Sequence, residues 1–221
     1  RSPMRRFGRI LTLTALVLVA GATVTPAQQR VKERSDSWQW YVGPQAGVTL
    51  FETPTQGRGG IPVVGGHLLV MARTGGLMLS YEEALGSDET SAMPTTSGGA
   101  IPVNFNNIRR YSGILTVFPW SGGIQPYLGA GLGIQHVVNP TVVGVFDSAQ
   151  DAANAQDEVV ERSGAGFMTG LVGLQLRPTN SAVLYASYNI VSSAGGRLVL
   201  GPTHTFSAGV RIGLGRWKQA W

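Results

Sequence analysis

From Trp38 to Gly215 the dominant spacing of apolar residues is two, with polar residues or glycine between them in the clearest stretches. Successive side chains of an extended chain leave opposite faces, whereas a helix would repeat near 3.6, so this chain must fold as strands. The clearest run is 204–215, where Phe206, Ala208, Val210, Ile212 and Leu214 oppose Thr205, Ser207, Gly209, Arg211 and Gly213. Residues 126–135 repeat it, with Leu128, Ala130, Leu132 and Ile134 against Gly129, Gly131, Gly133 and Gln135. In 38–51, Trp40, Val42, Ala46, Val48 and Leu50 face one way and Gln39, Gly43, Gln45, Gly47 and Thr49 the other. In 182–192, Leu184, Ala186, Tyr188 and Ile190 oppose Tyr185, Ser187 and Asn189.

The alternation predicts eight strands, near 38–51, 62–73, 77–84, 106–118, 126–138, 162–177, 182–192 and 204–215. The connections 74–76, 119–125 and 178–181 are short, whereas 52–61, 85–105, 139–161 and 193–203 are long. Short and long connections thus fall at opposite ends of an up-and-down meander, the asymmetry of membrane barrels with tight periplasmic turns and long external loops. An even strand count puts both termini at the short-turn end. Pro44 predicts a bulge or a later start for the first strand, since a closed sheet offers no edge to excuse a missing donor.

Which face meets which solvent is decided by composition. A water-exposed sheet face normally carries Lys and Glu, yet the chain has only two lysines, Lys32 and Lys218, both outside the predicted strands. The polar positions hold Gly, Ser, Thr, Gln, Asn and Tyr, which suit a narrow hydrogen-bonded interior. The apolar face then belongs to lipid, where an open sheet edge would leave backbone groups unsatisfied at several kcal/mol each, so the sheet must close. Trp38, Trp40, Trp120, Tyr127 and Trp217 fall near the short-turn end, and Phe51, Tyr81 and Tyr111 nearer the long-loop end, as two interfacial girdles would.

The first residues read differently. Met4–Arg9 is basic, Ile10–Val19 is apolar, and small residues follow, with cleavage sites after Ala27 or Ala22. This is the layout of a secretory signal peptide. The predicted organisation is therefore a leader and signal peptide over 1–27, a periplasmic segment over 28–37 and the barrel over 38–221. Removing the leader takes four of the 17 basic residues and none of the 12 acidic ones, so the net charge of +5 falls to +1. No basic stripe for nucleic acid survives. With no cysteine, the chain has neither a disulfide scaffold nor a thiolate metal site.

The segment Gln125-Pro-Tyr-Leu-Gly-Ala-Gly-Leu-Gly133, the eight-strand spacing and the alternating last strand resemble the small outer-membrane β-barrel proteins of Gram-negative bacteria. The likeness is to the opacity-type and OmpA-, OmpX- and OmpW-like barrels, over roughly residues 38–215. It implies an all-β, eight-stranded antiparallel transmembrane barrel in the outer membrane. It also implies assembly through periplasmic chaperones and the barrel-assembly machinery, which would read a terminal aromatic such as Trp221, and a surrounding of outer-membrane lipid and lipopolysaccharide.

Chemistry is sparse. The glycines of Gly129–Gly133 alternate within a strand and do not open a helix as a nucleotide loop would. His67, His136 and His204 have no metal-ligand spacing, and parity puts His136 and His204 on the apolar face near the outer rim. No catalytic residue, cofactor or metal is expected. Arg211 is the one charge well inside the last strand on the interior face, with Gln45, Gln135, Gln175, Tyr185 and Asn189 as candidate interior partners. Such a network would fill the barrel or constrict it, since eight strands leave an interior that side chains can occupy. Glu82, Glu83, Arg109 and Arg110 flank the 85–105 loop. Pairing with index sum 192 would set Glu82 against Arg110 inside and Glu83 against Arg109 outside, as a rim cluster aligning the hairpin. The loop 139–161 is acidic through Asp147, Asp151, Asp157, Glu158 and Glu161, a weak cation site or simply a soluble loop, and its alanines permit a short helix. The expected role is structural or one of surface interaction through the external loops, with an unidentified extracellular ligand. The alternatives are a narrow channel for small or apolar solutes and, as the resemblance allows, a lipid-modifying enzyme.

Overall fold

The alternating segments build one closed sheet. A computed structural model describes residues 37–72, 74–94, 100–179, 181–192 and 198–218. The predicted signal peptide, most of the 28–37 segment and Trp221 lie outside the described residues. The wall strands are β1 (Ser37–Glu52), β2 (Gly59–Ala72), β3 (Gly75–Pro94), β4 (Ala100–Val117), β5 (Ile124–Val138), β7 (Gly164–Leu176), β8 (Ala182–Val191) and β9 (Leu200–Lys218). Each pairs antiparallel with its neighbours, and β1 pairs with β9 to close the barrel. A two-residue strand β6 (Thr141–Val142) extends the edge of β4 beyond the end of β5, and a helix α1 (Ala149–Glu161) follows it. Ser148 caps α1 by accepting from the Asp151 N–H.

The outward face is an apolar belt. On β1 it comprises Trp40, Val42, Pro44, Ala46, Val48 and Leu50, a stretch about as long as the ~9–11 residues a tilted strand needs to cross hydrocarbon. Leu115, Leu128, Leu132, Ile134, Met168, Leu174 and Leu214 are exposed on the other strands, Leu115 to 70%. Water would disfavour each by roughly 1.5–3 kcal/mol relative to burial, which lipid removes. Trp38, Trp40 and Trp120 stand outward at the short-turn end, and Tyr81 and Tyr111 at the upper limit of the belt. Tyr127 and Phe51 do not join these girdles: both face the interior and are buried, as the parity of their own strands requires.

Three expectations about the wall are corrected. Pro44 neither bulges β1 nor delays its start. The register runs unbroken through it, from Val42 opposite Ile212 to Gln45 opposite Gly209, and only the pairs at 43 and 44 drop out of the β1–β9 ladder. The irregularities of this ladder fall instead at Leu50/Glu52 and at Trp40/Tyr41, where Leu214 is the extra residue of β9 and Gly215 takes a φ of 128° that favours glycine. Second, most of 85–105 is not loop. β3 and β4 continue as a paired hairpin to Pro94 and Ala100, with an irregularity between Leu85 and Glu89 where Asp88 has φ 55°. Third, β9 runs through Lys218, so that lysine is part of a strand.

The interior is filled in layers. At the short-turn end Tyr41, Leu69, Met71, Met78, Ile114, Phe118, Tyr127, Leu171 and Val183 form one apolar cluster. At the long-loop end Phe51, Ile61, Val63, Met93, Val103, Phe105, Ile108 and Val137 form another, which Val159 of α1 joins. Polar side chains occupy the space between.

Candidate functional site in the barrel interior

The central layer is built from inward positions of β1–β5 and β7–β9. Arg211 of β9 is its anchor and only 1% exposed. Its Nε donates to His67 Nε2 at 2.7 Å, its Nη1 to Gln175 Oε1 at 2.8 Å, and its Nη2 to the Tyr127 hydroxyl at 3.3 Å. Its guanidinium carbon lies 4.2 Å from the centroid of Tyr185 and 5.0 Å from that of Tyr127. No carboxylate touches it among the described residues; amide, imidazole and aromatic faces hold the charge instead.

Because Arg211 donates to His67 Nε2, that nitrogen must be the unprotonated one, and the ring is neutral with its proton on Nδ1. Nδ1 lies 3.2 Å from Gln45 Oε1, which also accepts from the Tyr185 hydroxyl at 3.2 Å. Gln45 then turns the network toward the long-loop end, donating through Nε2 to Glu82 Oε1 at 2.8 Å. Glu82 Oε2 stands 4.0 Å from Arg110 Nη1, a charge contact too long to be a hydrogen bond. Arg110, 2% exposed, donates from Nε to Gln135 Oε1 at 2.9 Å and from Nη1 to Thr205 Oγ1 at 3.1 Å, while its Nη2 has no acceptor. Hydrogen bonds therefore run from Arg211 through His67 and Gln45 to Glu82, and the 4.0 Å charge contact joins that carboxylate to Arg110.

Glycine makes room for this layer. The Tyr185 ring lies over Gly209, where an added methyl would stand 2.7 Å from its hydroxyl and press on the Pro44 carbonyl. Tyr127 covers Gly173 in the same way. The close fit needs the missing Cβ on the neighbouring strand, which keeps both rings against Arg211.

Of the interior residues singled out in the sequence, Arg211 meets Gln175 and Tyr185 directly and reaches Gln45 through His67. Gln135 belongs to the Arg110 end. Asn189 is not part of the chain; it accepts from Thr169 Oγ1 at 2.5 Å. The four charges flanking 85–105 do pair in the register of index sum 192, Glu82 opposite Arg110 and Glu83 opposite Arg109. Only the outward half is at the rim of the belt. There Glu83 accepts from Arg109 Nε at 3.1 Å, Asn107 Nδ2 at 2.9 Å and the Tyr81 hydroxyl at 2.6 Å. Glu82 and Arg110 are mid-barrel and buried, because β3 and β4 extend far past them. His67, Tyr127, Thr205 and Met78, whose Sδ lies 3.9 Å from Arg211 Nη2, are the members that sequence reasoning missed.

His136 and His204 face outward, the latter with Nδ1 2.6 Å from the Tyr188 hydroxyl. His136 Nδ1 is 3.3 Å from Ser163 Oγ, and no carboxylate bonds to that imidazole among the described residues. Asp151, Asp157 and Glu161 lie on α1 and are exposed, and no group of three or more potential metal ligands is present among the described residues.

No protein-family model matches the chain, and no curated protein is similar to it in sequence. Its fold, however, is shared with solved outer-membrane barrels. Neisserial surface protein A aligns over 78% of this chain and 96% of its own, with a TM-score of 0.53 and 18% identity. The N-terminal β-barrel domain of Pseudomonas aeruginosa OprF aligns over 79% of this chain and 97% of its own, with a TM-score of 0.50 and 15% identity. The outer membrane enzyme PagL aligns over 78% and 98%, with a TM-score of 0.42 and 16% identity. The closed ladder, the exposed apolar belt and this shared fold make the chain a small eight-stranded barrel of the outer-membrane type, located in that membrane.

Proposed function

We propose that this barrel is a closed, non-catalytic scaffold that holds an interaction surface outside the membrane. The observation that carries the reading is the filled interior: an arginine network stoppered by an apolar cluster at each end. A solute path would have to displace Arg211 from His67 and Gln175, then part the upper cluster. The investment of structure beyond the belt also favours surface interaction. The β3–β4 hairpin rises well past Tyr81 and Tyr111, and α1 seats Val159 in the barrel mouth. Between β6 and α1, Val143 and Val145 are exposed, Val145 fully, at a height where lipid does not cover them. Exposed apolar side chains outside the lipid suit a protein partner. Among the described residues no carboxylate hydrogen-bonds to the His136–Ser163 pair, which gives the catalytic alternative no orienting third group there.

Planar-bilayer conductance of the folded barrel tests this. Folded, inserted protein should give no current steps, and Arg211→Ala should leave the apolar stoppers in place and remain silent. Reproducible single-channel steps from the unaltered protein, changed in size or selectivity by Arg211→Ala, would overturn the proposal in favour of a channel.

A further inference from the structure

We propose that the outer wall of β2 and β3 binds one lipid A-type phosphorylated glycolipid, an acyl chain in a notch over Gly66 and a phosphate on Arg109. The notch exists because Gly66 faces lipid without a side chain, directly opposite Pro44 on β1. A Cβ built at Gly66 would meet only the Gly43 carbonyl oxygen, at 3.3 Å. The resulting shallow, open depression is walled by Val42, Leu68, Leu79, Tyr81 and Ile212. It lies within the apolar belt, so its occupant must be hydrocarbon.

The upper edge of the notch is not apolar, and that says which lipid. Tyr81 pairs with Gly66 across β2–β3, lines the notch, and donates its hydroxyl to Glu83. Glu83 accepts from Tyr81, Asn107 and Arg109 Nε, so its charge is already met by three donors. That bonding clamps the Nε edge of Arg109, and among the described residues neither Nη nitrogen has a hydrogen-bond acceptor, on a side chain 42% exposed. A guanidinium fixed on one edge and open on the other is a fork for a phosphate. His136, opposite Arg109 across β4–β5 and exposed, stands at the same height with its Nδ1 turned to Ser163 Oγ. The tilted Tyr81–Tyr111 pair, 5.2 Å between centroids, offers an aromatic surface beside that fork for a sugar ring. Long connections mark this as the external end, so the lipid belongs to the outer leaflet.

Native mass spectrometry of the folded barrel tests the site with three probes: lipid A, phosphatidylglycerol and inorganic phosphate. One lipid A should be retained per barrel. Arg109→Gln should weaken retention roughly tenfold, the value of one charge-assisted contact. Gly66→Leu should weaken it similarly by filling the notch, whereas Met168→Leu on the far wall should leave it unchanged. Heat-modifiable gel migration checks folding, and if Gly66→Leu does not fold, Arg109→Gln and Gly66→Ala carry the test. Equal retention by the unaltered protein and Arg109→Gln overturns the site. Phosphatidylglycerol binding as tightly as lipid A overturns the glycolipid assignment, and inorganic phosphate displacing the lipid reduces the site to a simple anion contact.

Discussion

Replacing Glu82 by Gln removes the buried carboxylate that faces Arg110 across the interior. The amide keeps the shape and can still accept from Gln45 Nε2, so the hydrogen bond survives and only the charge is lost. At the observed 4.0 Å separation from Arg110 Nη1, unit charges interact by about 4 kcal/mol at an effective dielectric of about 20. Measured losses on breaking a buried pair from one side run to about 3–5 kcal/mol. Arg110 already has an unpartnered Nη2 and would keep only the neutral Gln135 and Thr205 oxygens. Glu82→Gln should therefore destabilise the barrel by about 3 kcal/mol. Arg110→Met should do comparable damage by stranding Glu82. The double variant should be less destabilised than the sum by about 2–3 kcal/mol, since it buries no unpaired member of this pair. Equilibrium urea unfolding from lipid vesicles, followed through the interfacial Trp38, Trp40 and Trp120, measures all four corners of the cycle. A loss below about 0.5 kcal/mol for Glu82→Gln, or an additive double variant, would show that the pair is screened by water and would refute this electrostatic account.

Gly209→Val should abolish the folded, heat-modifiable form, because its Cβ meets the Pro44 carbonyl as well as Tyr185. Gly113→Ala, whose Cβ would find only Leu79 Cδ2 at 3.6 Å, should change stability by no more than about 0.5 kcal/mol in the same assay. Val159→Asp should unseat α1 from the barrel mouth. Hydrogen exchange should then rise across Ala149–Glu161 while the wall strands keep their protection.

What the sequence disclosed was the phase of strands whose two faces differ in kind. β5 and β9 alternate large apolar residues with glycine and polar ones, so their faces, and the inward aim of Arg211 and Gln135, could be read directly. β2 is apolar on both faces: Ile61, Val63, Leu69 and Met71 point in while Pro62, Val64, Leu68 and Val70 point out. Nothing in that stretch marks His67 as interior, and the chief partner of Arg211 was invisible until β1 pairing set Gly43 opposite it. The hairpin beyond Leu85 was hidden for another reason. Inward positions are even up to Ala84 and odd from Glu89, so the irregularity reverses the phase and the alternation reads as noise. Tyr127 and Phe51 were legible and misjudged: Leu128 and Leu50 had already claimed the outward face of their strands.

Pro44 puts the remaining tension into the seam that closes the barrel. Its strand partner toward β9 is Val210, and the missing N–H removes both the 44–210 and the 43–211 pairs while the register on either side is intact. An unmade backbone bond facing hydrocarbon costs several kcal/mol in gross terms. Proline returns about 0.4–1 kcal/mol by restricting the unfolded chain. Pro44→Val keeps an apolar side chain toward lipid and supplies the donor, so the net gain should be about 1 kcal/mol or more in vesicle unfolding. The same variant should show a slowly exchanging amide at residue 44. A variant no more stable than the natural chain, with a fast amide at 44, would mean that the Val210 carbonyl already has an adequate partner. The proline would then occupy a site where the ladder needs no bond.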